Sequence, residues 1–253
     1  MLKTRVMPCL LLRDGALVKS IRFKDPGYIG DPINAIRIYN EKEVDELIVL
    51  DITSTAERKP IPYKIIGEIA SECFMPLTYG GGIGSVEEIK TIFSLGVEKV
   101  AMNTRAINDP DFVASAAERF GNQSILVSID VRKDSKRGYE VFSHGGRQAT
   151  GLNPVDLALR MELAGAGEIL LTSIDRDGTM EGYDLELIRS VTSAVGVPVI
   201  ACGGAAKVDD FVLAVKEGGA SAVAAGSMVV YHGRNRAVLI NFPKRQELEK
   251  VLT

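Results

Sequence analysis

Apolar residues gather along this chain in eight short runs, at 6–12, 46–52, 75–79, 99–103, 125–131, 168–174, 197–201 and 222–227. The stretches between them alternate polar and apolar residues at helical spacing. The segment 85–95 shows the pattern: Ile89, Ile92 and Phe93 share one stripe, and Glu87 and Glu88 open the first turn. Nearly continuous apolar strands separated by amphipathic helices predict a parallel sheet covered by helices. Eight such units in 253 residues match the count and length of a single (β/α)8 TIM barrel spanning 1–253. A doubly wound open sheet is the alternative. No GxGxxG follows the first run, which weakens its dinucleotide-binding version.

The chain also repeats itself. PLTYGGGIGSVEEIKTIFSLGVEKVAMN (76–103) aligns with PVIACGGAAKVDDFVLAVKEGGASAVAA (198–225), placing Gly81–Gly82 on Gly203–Gly204 and Gly96 on Gly218. DELIVLDIT (45–53) echoes GEILLTSID (167–175) at the same offset. The barrel therefore reads as two similar half-barrels, about 1–121 and 122–253.

Each half carries a strand, a glycine pair and a helix, then a strand that ends in small polar residues. The first set is Gly81, Gly82, Asn103 and Thr104. The second is Gly203, Gly204, Gly226 and Ser227, with Asp177 and Gly178 nearby. Glycines after a strand let backbone N–H groups approach an anion, and the helix N-terminus adds partial positive charge. Two matched copies predict two phosphate cradles on opposite sides of one barrel mouth. The bland alternative is that the glycines only make tight turns.

Composition narrows the partners. Net charge is −3 and the pI about 5.6, so no basic footprint for nucleic acid exists. No apolar run approaches the roughly 20 residues of a membrane helix, and the N-terminus lacks a secretory cleavage pattern. Cys9, Cys73 and Cys202 are odd in number and without metal-ligand spacing, so neither disulfides, a metal nor a cofactor is expected, and the cytoplasm is the expected compartment.

The segments RVMPCLLLRDG, DELIVLDIT, PLTYGGGI, KVAMNT, SHGGRQATGL, GEILLTSIDRDGTMEGYDLELI and VPVIACGGA together resemble the cyclase subunit family of imidazole glycerol phosphate synthase, over nearly the whole chain. The resemblance implies a (β/α)8 barrel with a glutaminase partner. Ammonia from that partner would travel up the bore and meet a bisphosphorylated ribonucleotide, yielding imidazole glycerol phosphate and aminoimidazole carboxamide ribotide. It also implies an ammonia gate of alternating charge at the barrel floor, here Arg5, Glu46, Lys99 and Glu168. Each stands at or near the start of its strand, where two cations and two anions offset one another's burial cost.

The same resemblance implies two catalytic aspartates, on strands one and five. Asp130 occupies the second position, but Leu11 stands at the first, where the family reads PCLD. Strand alternation puts Arg5, Met7, Cys9 and Leu11 on one face, and Leu126, Ser128 and Asp130 on the matching face of strand five. Leu11 carries no proton, and Asp14 has the wrong parity to replace it. Whether the chain is itself an enzyme is therefore open. The segments SIRFKDPGYIGDPINAI and RAVLINFP resemble a paralogous branch linked to surface polysaccharides. There the barrel and its glutaminase would supply ammonia to an ATP-dependent sugar amidotransferase that makes an acetamidino sugar. The alternatives are an authentic histidine-pathway cyclase, a phosphoribosyl isomerase barrel and a non-catalytic subunit that activates its glutaminase.

Among single residues, Lys19 falls in a predicted loop, either closing on a phosphate or lying in solvent. His144 reads as structuring its loop or facing a phosphate, and His232 as structural. Thr172 and Ser173 end strand six, either bonding ligand or capping the next loop. Cys9 and Cys202 read as small apolar lining residues with inert thiols.

Overall fold

The computed structural model describes residues 4–134, 138–233 and 235–252. Eight parallel strands form its centre: β1 (Arg5–Arg13), β2 (Leu47–Asp51), β3 (Leu77–Gly80), β4 (Lys99–Met102), β5 (Ile125–Asp134), β6 (Glu168–Ser173), β7 (Val199–Cys202) and β8 (Ala222–Ala225). Neighbours pair in sequence order. β8 pairs with β1 at Arg5↔Ala222, and β5 with β6 at Asp130↔Thr172, so the sheet closes on itself. This is a (β/α)8 barrel.

Alternation within each strand sets two cores. On β5, Ile125, Val127, Ile129 and Val131 point outward into the layer between strands and helices. Leu126, from the opposite face, joins Met7, Cys9, Ile48, Ala101, Leu170, Ile200 and Cys202 inside the barrel. Eight helices cover the outside: α1 (Pro32–Glu41), α2 (Tyr63–Glu72), α3 (Val86–Ser94), α4 (Pro110–Phe120), α5 (Pro154–Leu163), α6 (Leu185–Thr192), α7 (Val208–Lys216) and α8 (Arg245–Leu252). The start of α3 is fixed by a capping box: Ser85 Oγ accepts from Glu88 N at 3.2 Å, and the Glu88 carboxylate accepts from Ser85 N at 3.0 Å.

Two features depart from the sequence expectation, and both lie at the C-terminal rim. The segment after β1 is a β-hairpin rather than a loop, with strands Ala16–Ile21 and Lys24–Gly30. The far end of β1 pairs with it at Leu11↔Val18. Its two-residue turn places Arg22 and Phe23 at φ 54° and 62°, a left-handed pair that carries neither Asn nor Gly. β5 likewise overshoots the barrel and pairs with Gly138–Ser143. The apolar runs 99–103 and 222–227 also end early, because Thr104 and Ser227 begin the short helices Thr104–Asn108 and Ser227–Val230. No helix among the described residues is long and apolar enough to cross a membrane.

Candidate functional site

Four charges close the N-terminal end of the barrel. Arg5 Nη1 donates to Glu46 Oε1 at 2.7 Å, and Arg5 Nη2 donates to Glu168 Oε1. Lys99 Nζ completes the circuit, 3.1 Å from Glu46 Oε2 and 2.9 Å from Glu168 Oε2. Each cation touches both anions. Burial pulls the Arg5 pKa down, but hydrogen bonds and attraction, from Glu168 first, outweigh it and hold the guanidinium above its usual value. The four residues that sequence places at strand starts are thus brought together in a ring.

Above the ring the bore is filled. Met7, Ile48, Leu126, Leu170, Ile200 and Ala222 are at most 1% exposed and pack against one another. Cys9 and Cys202 lie just above as paired thiols. Contact with Cys202, then burial, pushes the Cys9 thiol well above its ordinary pKa, in keeping with inert lining residues.

The bore ends in a cavity of about 220 Å³ at the C-terminal mouth. Leu11 and Asp130 both border it, on the inward faces of β1 and β5. Asp130 is buried, and burial raises its carboxyl to about 7; hydrogen bonds from Ser128 and Thr172 pull it down, while the Asp177 charge pushes it up. A carboxyl at that value exchanges a proton near neutral pH.

The other carboxylates of the cavity are engaged. Asp51 accepts from the backbone N–H groups of Thr53 and Ser54 and from the Ser54 hydroxyl. Glu57 is held by Lys59 at 2.9 Å. Asp177 is held by Lys19, whose Nζ lies 2.8 Å from Oδ1 and 3.1 Å from Oδ2. Lys19 therefore corrects the sequence expectation twice. It sits on a hairpin strand rather than in a loop, and its ammonium is neither in solvent nor free for a phosphate, because the hairpin folds it inward onto Asp177. Asp14 turns away to Lys59, 2.6 Å distant, and borders no part of the cavity. Among the described residues, Asp130 is thus the one carboxylate of the cavity that neither an ion pair nor a loop's backbone holds.

The two glycine cradles differ in their surroundings. Both pairs pack tightly on the end of the preceding strand. A Cβ on Gly81 would lie 2.5 Å from Asp51 O, and one on Gly203 2.6 Å from Ser173 O, at positions 122 residues apart in the repeat. A tight backbone approach thus accounts for these glycines before any ligand is invoked. Gly81, Gly82, Asn103 and Thr104 nevertheless border the cavity. Of the second set only Asp177 and Gly226 do; Gly178, Gly203, Gly204 and Ser227 do not. The polar side chains of the first cradle brace it: Asn103 Nδ2 donates to Ser128 O and Phe142 O, and Thr104 Oγ1 donates to Asn103 Oδ1 while accepting from His144 N.

Several polar residues of the cavity lining carry no signal in the sequence. Thr53 Oγ1 is buried with no hydrogen-bond partner, and Thr55, Arg105 and Arg147 line the same cavity. No motif marks them, because they meet from three separate segments: Thr53 and Thr55 after β2, Arg105 after β4 and Arg147 after β5. His144 structures its loop through Ser143, 2.9 Å from Nδ1. Thr172 faces the cavity, whereas Ser173 caps the following loop, its carbonyl accepting from Asp177 N at 2.9 Å. No group of three or more metal-ligating side chains occurs among the described residues.

Comparison with known proteins agrees with this architecture. The profile of the histidine biosynthesis protein family matches residues 5–235. A curated protein of Pseudomonas aeruginosa, provisionally named imidazole glycerol phosphate synthase subunit hisF2, is 51% identical over 249 residues, covering 98% of this chain and 99% of the relative. Two proteins provisionally named imidazole glycerol phosphate synthase subunit HisF, from Leptospira interrogans and Leptospira borgpetersenii, are 49% and 46% identical over 250 residues, each covering 98% of both chains.

Proposed function

This chain belongs to the histidine biosynthesis protein family, as a barrel of the imidazole glycerol phosphate synthase subunit type, and on that premise we propose that it conducts ammonia without closing the imidazole ring itself. A glutaminase docks on the N-terminal face and releases ammonia beneath the ring of Arg5, Glu46, Lys99 and Glu168. The ring is closed at rest, so Lys99 must swing aside to admit a small neutral molecule. The apolar side chains that fill the bore must part to let ammonia through, and they disfavour ammonium, because a charge there has no compensating partner. At the mouth, ammonia meets a phosphorylated acceptor. In the branch favoured here, a separate ATP-dependent amidotransferase uses that ammonia to build an amidino group on a sugar.

The observation that carries this reading is the chamber itself. Asp130 has only Leu11 as the counterpart on β1, and the remaining carboxylates of the cavity are bound elsewhere. General acid–base catalysis is worth about 10²–10⁴ in rate, and half of the pair that would supply it here is hydrocarbon. One observation favours a second reading, the authentic cyclase: Asp130 is retained with its carboxyl held at about 7, suited to proton transfer.

A direct experiment decides between them. The purified chain is supplied with ammonium salts and bisphosphorylated ribonucleotide, and separately with a glutaminase subunit from the same organism and glutamine. Stimulated glutamine hydrolysis with no ring-closed product supports the ammonia-conducting reading. Ring closure at rates typical of cyclases overturns it.

A further inference from the structure

The repeat predicts two equivalent phosphate cradles, but the hairpin after β1 treats them unequally. In the first half, all four cradle residues border the cavity, and Thr53, only 3% exposed and with its hydroxyl unpartnered, is also a lining residue. In the second half, the corresponding space is taken by the chain itself. A Cβ on Gly226 would stand 2.9 Å from Lys19 Cε, so the lysine stem lies on that strand end. Gly178 backs onto the hairpin, 2.3 Å from Ser20 O by the same measure, and Arg22 N donates to Asp177 O at 2.8 Å. Ser227 Oγ also lacks a partner, but it does not border the cavity.

We infer that the chamber holds one phosphate site, in the first half, and that the Lys19 ammonium stands where the second would be, so the ligand is a phosphomonoester of a polyhydroxylated molecule. Arg147 supplies positive charge at the open cradle, Arg105 beside it being paired with Asp109 at 2.7 Å, and charge-assisted bonds from guanidinium to phosphate are the strong kind. At the other end, Ser128, Thr172 and Asp130 offer hydrogen bonds suited to hydroxyl groups, while the Lys19–Asp177 pair is already neutralised. This inference deepens the proposed acceptor site, but it does not depend on the ring or on ammonia transfer.

Calorimetric titration of the full chain tests it, with inorganic phosphate, ribose 5-phosphate and fructose 1,6-bisphosphate as probes. One phosphate per chain is expected, with the two sugars binding within about threefold of each other. Thr53→Val and Arg147→Gln should each weaken binding by about tenfold, corresponding to about 1.4 kcal/mol; Arg147 is a surface residue whose loss leaves the fold intact. A second phosphate, a preference for the bisphosphate beyond about 30-fold, no phosphate binding at all, or binding lost in Ser227→Ala but kept in Thr53→Val would each overturn the inference, all judged on the ~1.4 kcal/mol per decade scale. None of these measurements involves the glutaminase. A failed phosphate count therefore leaves the ammonia reading standing, and a failed coupling assay leaves the phosphate count standing.

Discussion

Lys99, at the start of β4, reaches across the barrel floor to Glu168, at the start of β6, with 2.9 Å between Nζ and Oε2. The same ammonium holds Glu46, so it closes the ring on the side away from Arg5. Lys99→Ala leaves both carboxylates on Arg5 and opens a gap between them. Stability should fall by about 1–3 kcal/mol, less than for a buried ion left wholly unpaired. In the complex with glutaminase, more ammonia should appear free in solution per glutamine consumed. Chemical denaturation and an ammonia assay read the two effects. A variant identical to the parent in both would show that the ring is no gate.

Asp130 makes stability depend on pH in a defined direction. Its carboxyl, held at about 7 by burial first, binds a proton more tightly folded than unfolded. Its contribution is therefore full below about pH 4 and is lost as pH rises toward 7, by at most about 4 kcal/mol at 1.36 kcal/mol per unit. Asp130→Asn removes this dependence. The variant should gain on the parent in thermal unfolding between pH 5 and pH 8, and a constant difference across that range would contradict the assignment.

Restoring the missing acid is a gain-of-function test. Leu11→Asp places a carboxyl beside the same cavity as Asp130. With ammonium and bisphosphorylated ribonucleotide at saturation, turnover should rise by about 10² over the parent, the lower end of what a general acid–base group supplies. KM should stay high, because Lys19 still occupies the space of the second phosphate. Unchanged turnover would mean that the loss at position 11 is not what limits this chemistry.

Lys19→Met separates ion pairing from packing. The side chain is 5% exposed and that of Asp177 10%, so the substitution leaves a buried carboxylate without its cation. A loss of about 3 kcal/mol is expected, and Asp177→Asn in the same background should recover part of it. No recovery in the double variant would place the stabilisation in the lysine stem against Gly226 rather than in the charge pair.

The barrel strands were legible because parallel strands covered on both faces need continuous apolar runs. The ring was legible because strand parity fixes which starting residues face the axis, and a family resemblance told which of them to consider. The hairpin was not. Lys24–Gly30 holds Pro26 and two glycines with no alternation, and its turn carries Arg22 and Phe23 at positive φ where Asn-Gly is the usual signal. Lys19 was misplaced for the same reason, since its partner Asp177 lies 158 residues away and only the hairpin brings them together. The lining of the first cradle stayed hidden too: Thr53 and Thr55 sit on one segment, Arg105 and Arg147 on two others far along the chain, and only barrel closure gathers them.

β1 runs the full height of the molecule, with Arg5 at the floor, Met7 and Cys9 in the bore, Leu11 in the chamber and its last residues joined to the hairpin. A single added residue near Arg5 would turn this whole inward column outward at once. Floor, bore and chamber are thus rungs of one ladder, and evolution is free to change their side chains one at a time but not to lengthen the ladder between them.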